Sequence, residues 1–190
     1  MNAFFNMEWD RTVLRYINNR WQNPFFDWLC PTIRNGDLWM PLYLFLLLFV
    51  LLNYKKTGWW WVLAAACTPA LTDLISSHLI KENIIRLRPC NDPALASWLR
   101  FYPGIYRPQS SSFTSSHAAN HFGMAMFFFL TLKDKIGKAA WLFFIWAGAI
   151  CYSQMYVGVH YPLDIICGAL VGMMVGYTTA TIFYKAKGLQ

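Results

Sequence analysis

The chain has 190 residues, of which 57% are hydrophobic, 18% are aromatic and 13% are charged. The charged fraction is about half of that in soluble domains, and a chain of this length has too small an interior to bury so much apolar surface. The composition argues against a disordered chain, a coiled coil and a nucleic-acid-binding module, and it indicates one domain embedded in a lipid bilayer.

The net charge of +7 comes from 16 Lys and Arg against 9 Asp and Glu, and it has two interpretations. Basic residues of membrane proteins mark cytoplasmic loops and contacts with anionic lipid headgroups. They also form clusters that hold an anionic substrate. The positions of the basic residues along the chain must separate these alternatives.

Residues 1–36 precede the long apolar runs. Residues 8–20 are amphipathic, and residues 21–36 mix aromatic side chains with prolines. This pattern predicts an N-terminal segment with an interfacial helix that lies on the membrane. The stretch Pro24–Ile33 is a candidate for an additional half-span.

Five long apolar runs follow, and each is expected to be a helix because backbone groups in lipid must satisfy their own hydrogen bonds. The runs are Leu38–Leu52, Thr57–Ile80, His117–Leu132, Ala139–Val159 and Leu163–Tyr184. The sequence therefore predicts an all-α integral membrane bundle with about five transmembrane helices, or six if residues 24–33 insert. Gly168, Gly172 and Gly176 form a ridge of small residues, which suits helix packing within the chain or, alternatively, a dimer seam.

Three polar clusters interrupt the apolar background, at residues 81–89, 113–117 and 153–164. Two spans lie between the second cluster and the third. The first and second clusters lie at the two ends of the long loop 81–116. All three clusters are therefore expected on the same side of the membrane. An ordered loop of this length is usually functional, so residues 81–116 are interpreted as an active-site loop.

The first two clusters carry groups that suit a phosphate. Lys81 and Arg88 supply positive charge, and arginine has a planar fork that matches phosphate oxygens. Ser115 and Ser116 precede a helix, where hydroxyls and free backbone N–H groups favour an anion. The simpler alternatives are a basic pair that reaches for lipid headgroups and an ordinary helix cap.

The third cluster contains a candidate nucleophile. His160 and Asp164 lie four residues apart, so the carboxylate can orient the imidazole and leave its other nitrogen free to attack. His117 is then available to protonate a leaving oxygen. A local hydrogen bond between His160 and Asp164 is the simpler alternative, but the conjunction of these groups on one side favours phosphoryl transfer without a metal.

Two further polar residues have structural interpretations. His121 follows His117 at a spacing found in zinc sites, but no third ligand is evident, and a packed histidine is favoured. Asp73, Ser77 and Lys81 recur every four residues. They are interpreted as a polar stripe that faces the bundle interior, with a functional intramembrane carboxylate as the alternative.

Three spaced motifs carry a resemblance to a known family. They are Lys81-x6-Arg88-Pro89, Ser115-Ser116-His117 and Ser153-x6-His160-x3-Asp164. In this order they resemble the type 2 phosphatidic acid phosphatase superfamily, the lipid phosphate phosphatases, whose signature is K-x6-R-P, P-S-G-H and S-R-x5-H-x3-D. The resemblance extends from about residue 57 to residue 170.

The resemblance implies a role for each motif residue. His160 is expected to form a phosphohistidine, with Asp164 orienting it and His117 acting as the general acid. The phosphate-binding residues are expected to be Lys81, Arg88, Ser115, Ser116 and the residue at position 154. No metal or other cofactor is implied.

The chain departs from the family signature at two motifs. Thr114 and Ser116 replace Pro and Gly of the second motif, which is a mild change because the backbone N–H at Ser116 remains. Gln154 stands where the third motif has Arg, so a third phosphate-binding cation is missing. Arg107, in the long loop, is a candidate to supply that charge, although a surface arginine is the simpler interpretation.

The sequence thus predicts a membrane phosphatase that hydrolyses a phosphate monoester or diphosphate of a lipid. Undecaprenyl diphosphate, phosphatidic acid or phosphatidylglycerol phosphate, and a lipid A phosphate all remain candidate substrates. Vanadate-dependent haloperoxidases resemble the same motifs, but they are larger and soluble. The alternative from another class is a lipid-binding or transport protein of the same fold whose catalysis is weakened by Gln154.

The charge pattern predicts a bacterial inner-membrane protein whose site faces the periplasm or exterior. The side opposite the site carries Lys55, Lys56, Lys133, Lys135, Lys138, Lys185 and Lys187. Arg11, Arg15, Arg20 and Arg34 fall on the side of the site and count against this orientation. The sequence predicts membrane lipid as a partner and no nucleic acid, and it does not indicate an oligomeric state.

Overall fold

The structure is a computed structural model that describes residue 5, residues 7–186 and residues 188–189. It is helical, and no strand occurs among these residues. The helices are α1 (Glu8–Arg15), α2 (Pro24–Ile33), α3 (Met40–Asp73), α4 (Ser116–Ile136), α5 (Leu142–Tyr156) and α6 (Pro162–Ala186). The predicted all-α membrane fold is confirmed. Lys187, one of the lysines assigned to the side opposite the site, lies outside the described residues.

Three helical stretches are long and apolar enough to cross a membrane: Gly36–Ile80, Ser116–Tyr156 and Pro162–Ala186. The first folds back on itself at Lys55, which has φ 43° and ψ −119°. A Cβ on Gly58 would lie 2.8 Å from the carbonyl oxygen of Val50. Residues eight apart on a continuous helix are about 12 Å apart along its axis, so this contact requires a hairpin.

The second stretch also reverses. Gly137 ends α4 with φ 59° and ψ −136°. Beyond this turn the ring of Trp141 packs on Phe129, with centroids 4.7 Å apart. The described chain therefore passes through the bundle five times, in agreement with the five apolar runs.

The two hairpin turns lie at the same end of the bundle. The ammonium of Lys135 is 5.4 Å from the ring centroid of Tyr54. The hydroxyl of Tyr184, near the end of α6, donates to the carbonyl of Leu130 at 2.9 Å. The lysines of both turns and of the α6 terminus therefore collect at one end, and the three polar clusters lie at the other.

The contact between α4 and α6 positions the site. A Cβ on Gly172 would lie 2.1 Å from the carbonyl oxygen of Ala119, and one on Gly168 would lie 2.5 Å from that of Ser115. Only glycine permits these backbones to approach so closely. The ridge of small residues thus serves packing within the chain, and it brings the first turns of α4 and α6 together.

The N-terminal segment packs onto the long loop. Leu14 of α1 is buried in a cluster with Leu95 and Tyr161. The amide of Asn18 donates to the carbonyl of Tyr156 at 2.8 Å and to that of Arg100 at 2.7 Å. The segment therefore covers the polar end of the bundle, while its predicted place at the membrane interface stays a prediction.

Asp73 does not face the bundle interior as its spacing predicted. It is exposed and accepts a hydrogen bond from Ser77 at 2.8 Å, while Ser76 is buried in its place. α3 continues into a π-helix at Leu74–Ile80. The buried residues of this stretch are Thr68, Thr72 and Ser76, which also recur every four positions. The buried face therefore lies one position around the helix from Asp73 and Ser77.

Candidate active site

The third motif spans a tight connection between α5 and α6. α5 ends at Tyr156, Gly158 reverses the chain with φ +80°, and Pro162 starts α6. Glycine adopts that φ without strain. Proline suits the first position of a helix, because the backbone N–H that proline lacks would have no acceptor within the helix there. The connection holds His160 between two helix ends, where its side chain is only 2% exposed.

His160 and Asp164 form the predicted pair. His160 Nδ1 lies 3.5 Å from Asp164 Oδ2, and that oxygen also accepts hydrogen bonds from the Tyr161 N–H at 2.9 Å and the Ser112 hydroxyl at 2.5 Å. The carboxylate thus assigns the imidazole proton to Nδ1 and leaves the lone pair on Nε2. Burial lowers the pKa of His160 to about 4, so the ring is neutral near pH 7, as a nucleophile must be.

Arg88 lies against the reactive nitrogen. Its Nη1 is 3.0 Å from His160 Nε2 and donates to the carbonyl of Val159 at 3.3 Å. Its Nε and Nη2 donate to the backbone carbonyl and hydroxyl of Ser110, at 3.0 and 3.1 Å. Arg88 is therefore a fixed, buried cation and not a side chain that reaches for lipid headgroups.

Lys81 joins the site from the end of the π-helix. Its Nζ donates to the hydroxyl of Ser116 at 2.5 Å, and that hydroxyl is 2.9 Å from the hydroxyl of Ser77. Burial, with a contribution from the charge of Arg88, lowers the pKa of Lys81 to about 8. Lys81 is therefore mostly charged near pH 7 and loses its charge at a modestly higher pH.

The start of α4 supplies the helix terminus that the second motif predicts. The hydroxyl of Ser115 accepts the N–H of Ala118 at 3.3 Å, and its own N–H donates to the carbonyl of Asp164 at 3.1 Å. Ser115 is thus an N-cap that also fastens α4 to α6. The next residues of α4 follow this cap beside Lys81, where free N–H groups favour an anion.

The two histidines of α4 differ in their contacts. His117 is close enough to His160 for their charges to interact, and its side chain makes no hydrogen bond within the described part of the chain. His121 Nδ1 lies 2.8 Å from the carbonyl of His117, and its ring packs on Trp146 with centroids 5.0 Å apart. His121 is therefore a packed histidine, the interpretation that the sequence favoured, and His117 remains available for chemistry.

Gln154 is buried without a partner. Its side-chain oxygen and nitrogen are inaccessible to solvent and make no hydrogen bond to any described residue. A buried amide in that state is rare in native proteins. Arg107, the other candidate for a third cation, is exposed and stacks on the ring of Phe101 at 4.5 Å. Arg107 is therefore the surface arginine of the simpler interpretation.

Sequence reasoning missed a buried network behind His160. Arg86 Nη1 donates to Asp164 Oδ1 at 2.6 Å, and Nη2 pairs with Asp10 of α1. The other oxygen of Asp10 accepts the N–H of Leu163 at 2.7 Å at the start of α6. The guanidinium also lies 3.9 Å from the ring centroid of Tyr161. The sequence offered one signal for Arg86. It lies two residues before Arg88 on an extended segment, where side chains two positions apart point to the same side of the backbone.

The charges are distributed unevenly around His160. In the rear network, which comprises Asp10, Arg86, Ser112 and Asp164, the single cation bridges both carboxylates. The front cluster comprises Lys81 and Arg88. Its two cations have no carboxylate within ion-pair distance in the described part of the chain. An excess of positive charge in a desolvated site beside a neutral imidazole suits a phosphate dianion.

Comparison with known proteins gives consistent matches. The model of the PAP2 superfamily matches residues 58–187. A lipid A 4'-phosphatase of Bacteroides thetaiotaomicron is 29% identical over 93% of this chain and 77% of its own length. One of Porphyromonas gingivalis is 27% identical over 95% of this chain and 75% of its own. The crystal structure of Aquifex aeolicus LpxE shares the fold, with a TM-score of 0.66 and 23% identity over 93% of this chain and 97% of that chain.

Proposed function

Because the chain belongs to the PAP2 superfamily and is a membrane lipid phosphatase, we propose that it removes the 4'-phosphate of a lipid A-type glycolipid. Two relatives that are lipid A 4'-phosphatases align with 93% and 95% of the chain, and they favour this substrate among those that the sequence leaves open. The observation that carries the catalytic part is His160, whose Nδ1 faces Asp164 while its Nε2 faces Arg88.

In the first step the phosphate takes hydrogen bonds from Arg88 and Lys81, which frees the Nε2 lone pair of His160. That lone pair forms an N–P bond as the P–O bond to the sugar breaks. The leaving oxygen takes a proton from His117, which acts in its imidazolium form. Asp164 stabilises the positive charge that develops on the His160 ring through the Nδ1 proton.

In the second step a water molecule attacks the phosphohistidine. His117, now neutral, takes a proton from this water as the new O–P bond forms and the N–P bond breaks. His160 regains its lone pair, inorganic phosphate leaves, and His117 is again protonated. The fixed cations act in both steps because the negative charge on the phosphoryl oxygens has to be stabilised in each.

We place the site on the periplasmic side of a bacterial inner membrane. The support is the charge distribution, because the described lysines of both hairpin turns and the α6 terminus lie at the end away from the site. Three of the N-terminal arginines at the site end have partners there, which weakens their weight against this orientation. Arg11 lies 3.7 Å from Asp92, and Arg15 and Arg20 lie over the rings of Trp98 and Tyr16.

The proposed function is tested by phosphate release from purified protein in detergent with EDTA present. Lipid A, undecaprenyl diphosphate and phosphatidic acid are supplied in parallel, and mass spectrometry identifies which phosphate lipid A loses. We expect loss of the 4'-phosphate and the highest kcat/KM for lipid A. A preference for undecaprenyl diphosphate or phosphatidic acid would overturn the substrate assignment and leave the reaction class standing.

Gln154 favours a second candidate function. Without the family arginine the protein is a candidate for a lipid-binding or transport protein that keeps the fold and has weak catalysis. That function predicts that radiolabelled lipid A binds the purified protein and that none of the three lipids releases phosphate. Turnover that His160→Ala abolishes would exclude it.

A further inference from the structure

Arg86 is fixed beside Asp164 by its backbone and by its guanidinium. Its N–H donates to the hydroxyl of Ser111 at 3.1 Å, and its carbonyl accepts the N–H of Ser112 at 2.8 Å. The guanidinium lies 3.9 Å from the ring centroid of Tyr161, and Nη1 donates to Asp164 Oδ1 at 2.6 Å. The cation of the rear network is therefore a permanent neighbour of the carboxylate that orients the nucleophile.

Asp10 reaches this cation from α1, in the N-terminal segment. Its side chain is fully buried, Oδ2 pairs with Arg86 Nη2, and Oδ1 accepts the N–H of Leu163 at 2.7 Å in the first turn of α6. Burial raises the pKa of Asp10, and the hydrogen bonds from Arg86 and the Leu163 N–H oppose that shift. Both oxygens face N–H donors, so Asp10 is a carboxylate near pH 7.

The rear network has a net charge of −1, because Asp10 and Asp164 share the single cation Arg86. Without Asp10, Arg86 and Asp164 would form a neutral pair. The difference matters at His160, since Arg88 Nη1 lies 3.0 Å from its Nε2 and opposes positive charge on the ring. Charges interact strongly in a desolvated site. A negative rear network therefore stabilises a positive imidazole, and a neutral one does so much less.

We propose that Asp10 is a positioning residue of this phosphatase, which neutralises Arg86 so that the negative charge of Asp164 remains available to His160. The inference rests on the proposed function, since the His160 ring gains positive charge when its Nε2 bonds to phosphorus. Asp10 acts through Arg86 and Asp164 and lies outside residues 58–187, which the family model matches. The N-terminal segment thereby takes part in the reaction.

The first test measures formation of the phosphohistidine in a single turnover, with purified enzyme in excess over radiolabelled lipid A. Asp10→Asn keeps the size of the side chain and removes its charge. It should slow this step by about 10- to 100-fold, the scale of one interaction between partly screened buried charges. Asp10→Glu keeps the charge and should retain more of the rate than Asp10→Asn does.

The matched control is Asp92→Asn, which removes another buried carboxylate that holds α1. Asp92 lies 3.7 Å from Arg11 of α1 and accepts the hydroxyl of Tyr161 at 3.0 Å. In the described part of the chain it shares no cation with Asp164. Asp92→Asn should lower the melting temperature and change the rate little. Equal rates for Asp10→Asn and Asp92→Asn would show that both residues only anchor α1, and would overturn the proposal.

The decisive variant removes the cation as well. Asp10→Asn combined with Arg86→Gln returns the net charge of the rear network to −1, so it should recover most of the lost rate even though its melting temperature falls further. A purely structural role of Asp10 predicts the opposite, because the second substitution loosens the network more. Failure of the double variant to recover would overturn the proposal. If Asp10→Asn alone does not fold, a double variant slower than the wild type by about 10-fold or more has the same consequence.

A measurement without substrate separates this inference from the proposed function. The Nδ1 proton of His160 faces a carboxylate, so its NMR resonance lies downfield, and His160→Ala identifies it by its loss. Asp10→Asn should move this resonance upfield, because Arg86 then withdraws charge from Asp164 alone. The double variant should restore it, and Asp92→Asn should leave it in place. If no lipid releases phosphate while this pattern holds, the proposed function fails and the role of Asp10 stands. If Asp10→Asn leaves the resonance unmoved, the inference fails.

Discussion

The rear network and the front cluster lie on opposite sides of one imidazole, and they differ in how completely their polar groups are satisfied. Behind His160, Asp164 Oδ2 accepts hydrogen bonds from Ser112 and the Tyr161 N–H, while Arg86 pairs with both Asp10 and Asp164. In front of it, Lys81 and Arg88 have only hydroxyls, carbonyls and the imidazole as partners among the residues that the structure describes.

The difference separates what folds the site from what binds the substrate. Removal of one member of a saturated buried network leaves its partners uncompensated, which costs stability. Removal of a cation from a cluster that lacks counter-charges relieves repulsion in the free enzyme and weakens anion binding. Rear variants are therefore expected to change unfolding, and front variants to change turnover or affinity.

His160→Ala removes the imidazole between the rear network and the front cluster, and it has the largest expected effect. Phosphate release should fall to background, because no other described side chain lies between Asp164 and Arg88 to form the covalent intermediate. Rapid acid-free quenching with radiolabelled substrate should trap an acid-labile phosphoprotein in the wild type and none in the variant. Near-normal release by the variant, with contaminating phosphatase excluded, would contradict the mechanism.

Arg86→Met tests the rear network through stability. The side chains of Arg86 and Asp10 are 4% and 0% exposed, so the variant leaves two buried carboxylates without a cation. Breaking such a pair costs about 3–5 kcal/mol, which thermal unfolding in detergent would detect as a large drop in melting temperature. The control is Arg100→Met, whose pair with Asp27 is 28% and 31% exposed and should contribute at most about 1 kcal/mol. Equal losses for the two variants would refute the contrast.

The front cluster should respond to pH through Lys81, whose pKa is lowered to about 8. Raising the pH through that value removes a positive charge, so the affinity for inorganic phosphate, calculated for its dianion at each pH, should weaken by about 10-fold or more. The inhibition constant of phosphate, measured from about pH 7 to about pH 10, reports this loss. Lys81→Arg keeps its charge and should give a flat profile, whereas parallel profiles would assign the titration to another group.

The number of passes through the bundle was predictable, because a backbone inside lipid has few ways to satisfy its hydrogen bonds. A backbone in a bilayer must form a helix, so each apolar run became one pass, and the breaks fell at Lys55 and at Gly137. The orientation of single side chains was not predictable to the same degree. Asp73 lies one position around the helix from the buried face that Thr68, Thr72 and Ser76 form, and the nearly continuous apolar sequence of this run does not mark which polar stripe faces inward.

The site was predictable where its parts are local. His160 and Asp164 are one helical turn apart, and Ser115 precedes a helix, so spacing alone brings these groups to helix ends. The rear network instead joins Arg86 to Asp10 and to Asp164 across 76 and 78 positions, and Ser112 to Asp164 across 52. Such pairings depend on how the long loop and the N-terminal segment fold over the bundle, which local periodicity does not encode.

Ser112→Ala makes the smallest change and tests whether the rear network also tunes the nucleophile. The hydroxyl donates to Asp164 Oδ2 at 2.5 Å and lies 3.5 Å from His160 Nδ1. Asp164 keeps its bonds to Arg86 and the Tyr161 N–H, so we expect a loss of about 1–2 kcal/mol, or roughly 5- to 30-fold in kcat if all of it is expressed in the transition state. KM should stay near that of the wild type, because Ser112 lies behind the imidazole and does not reach the phosphate. A rise in KM with unchanged kcat would instead place Ser112 among the residues that bind substrate, and the division between rear network and front cluster would have to be redrawn at that residue.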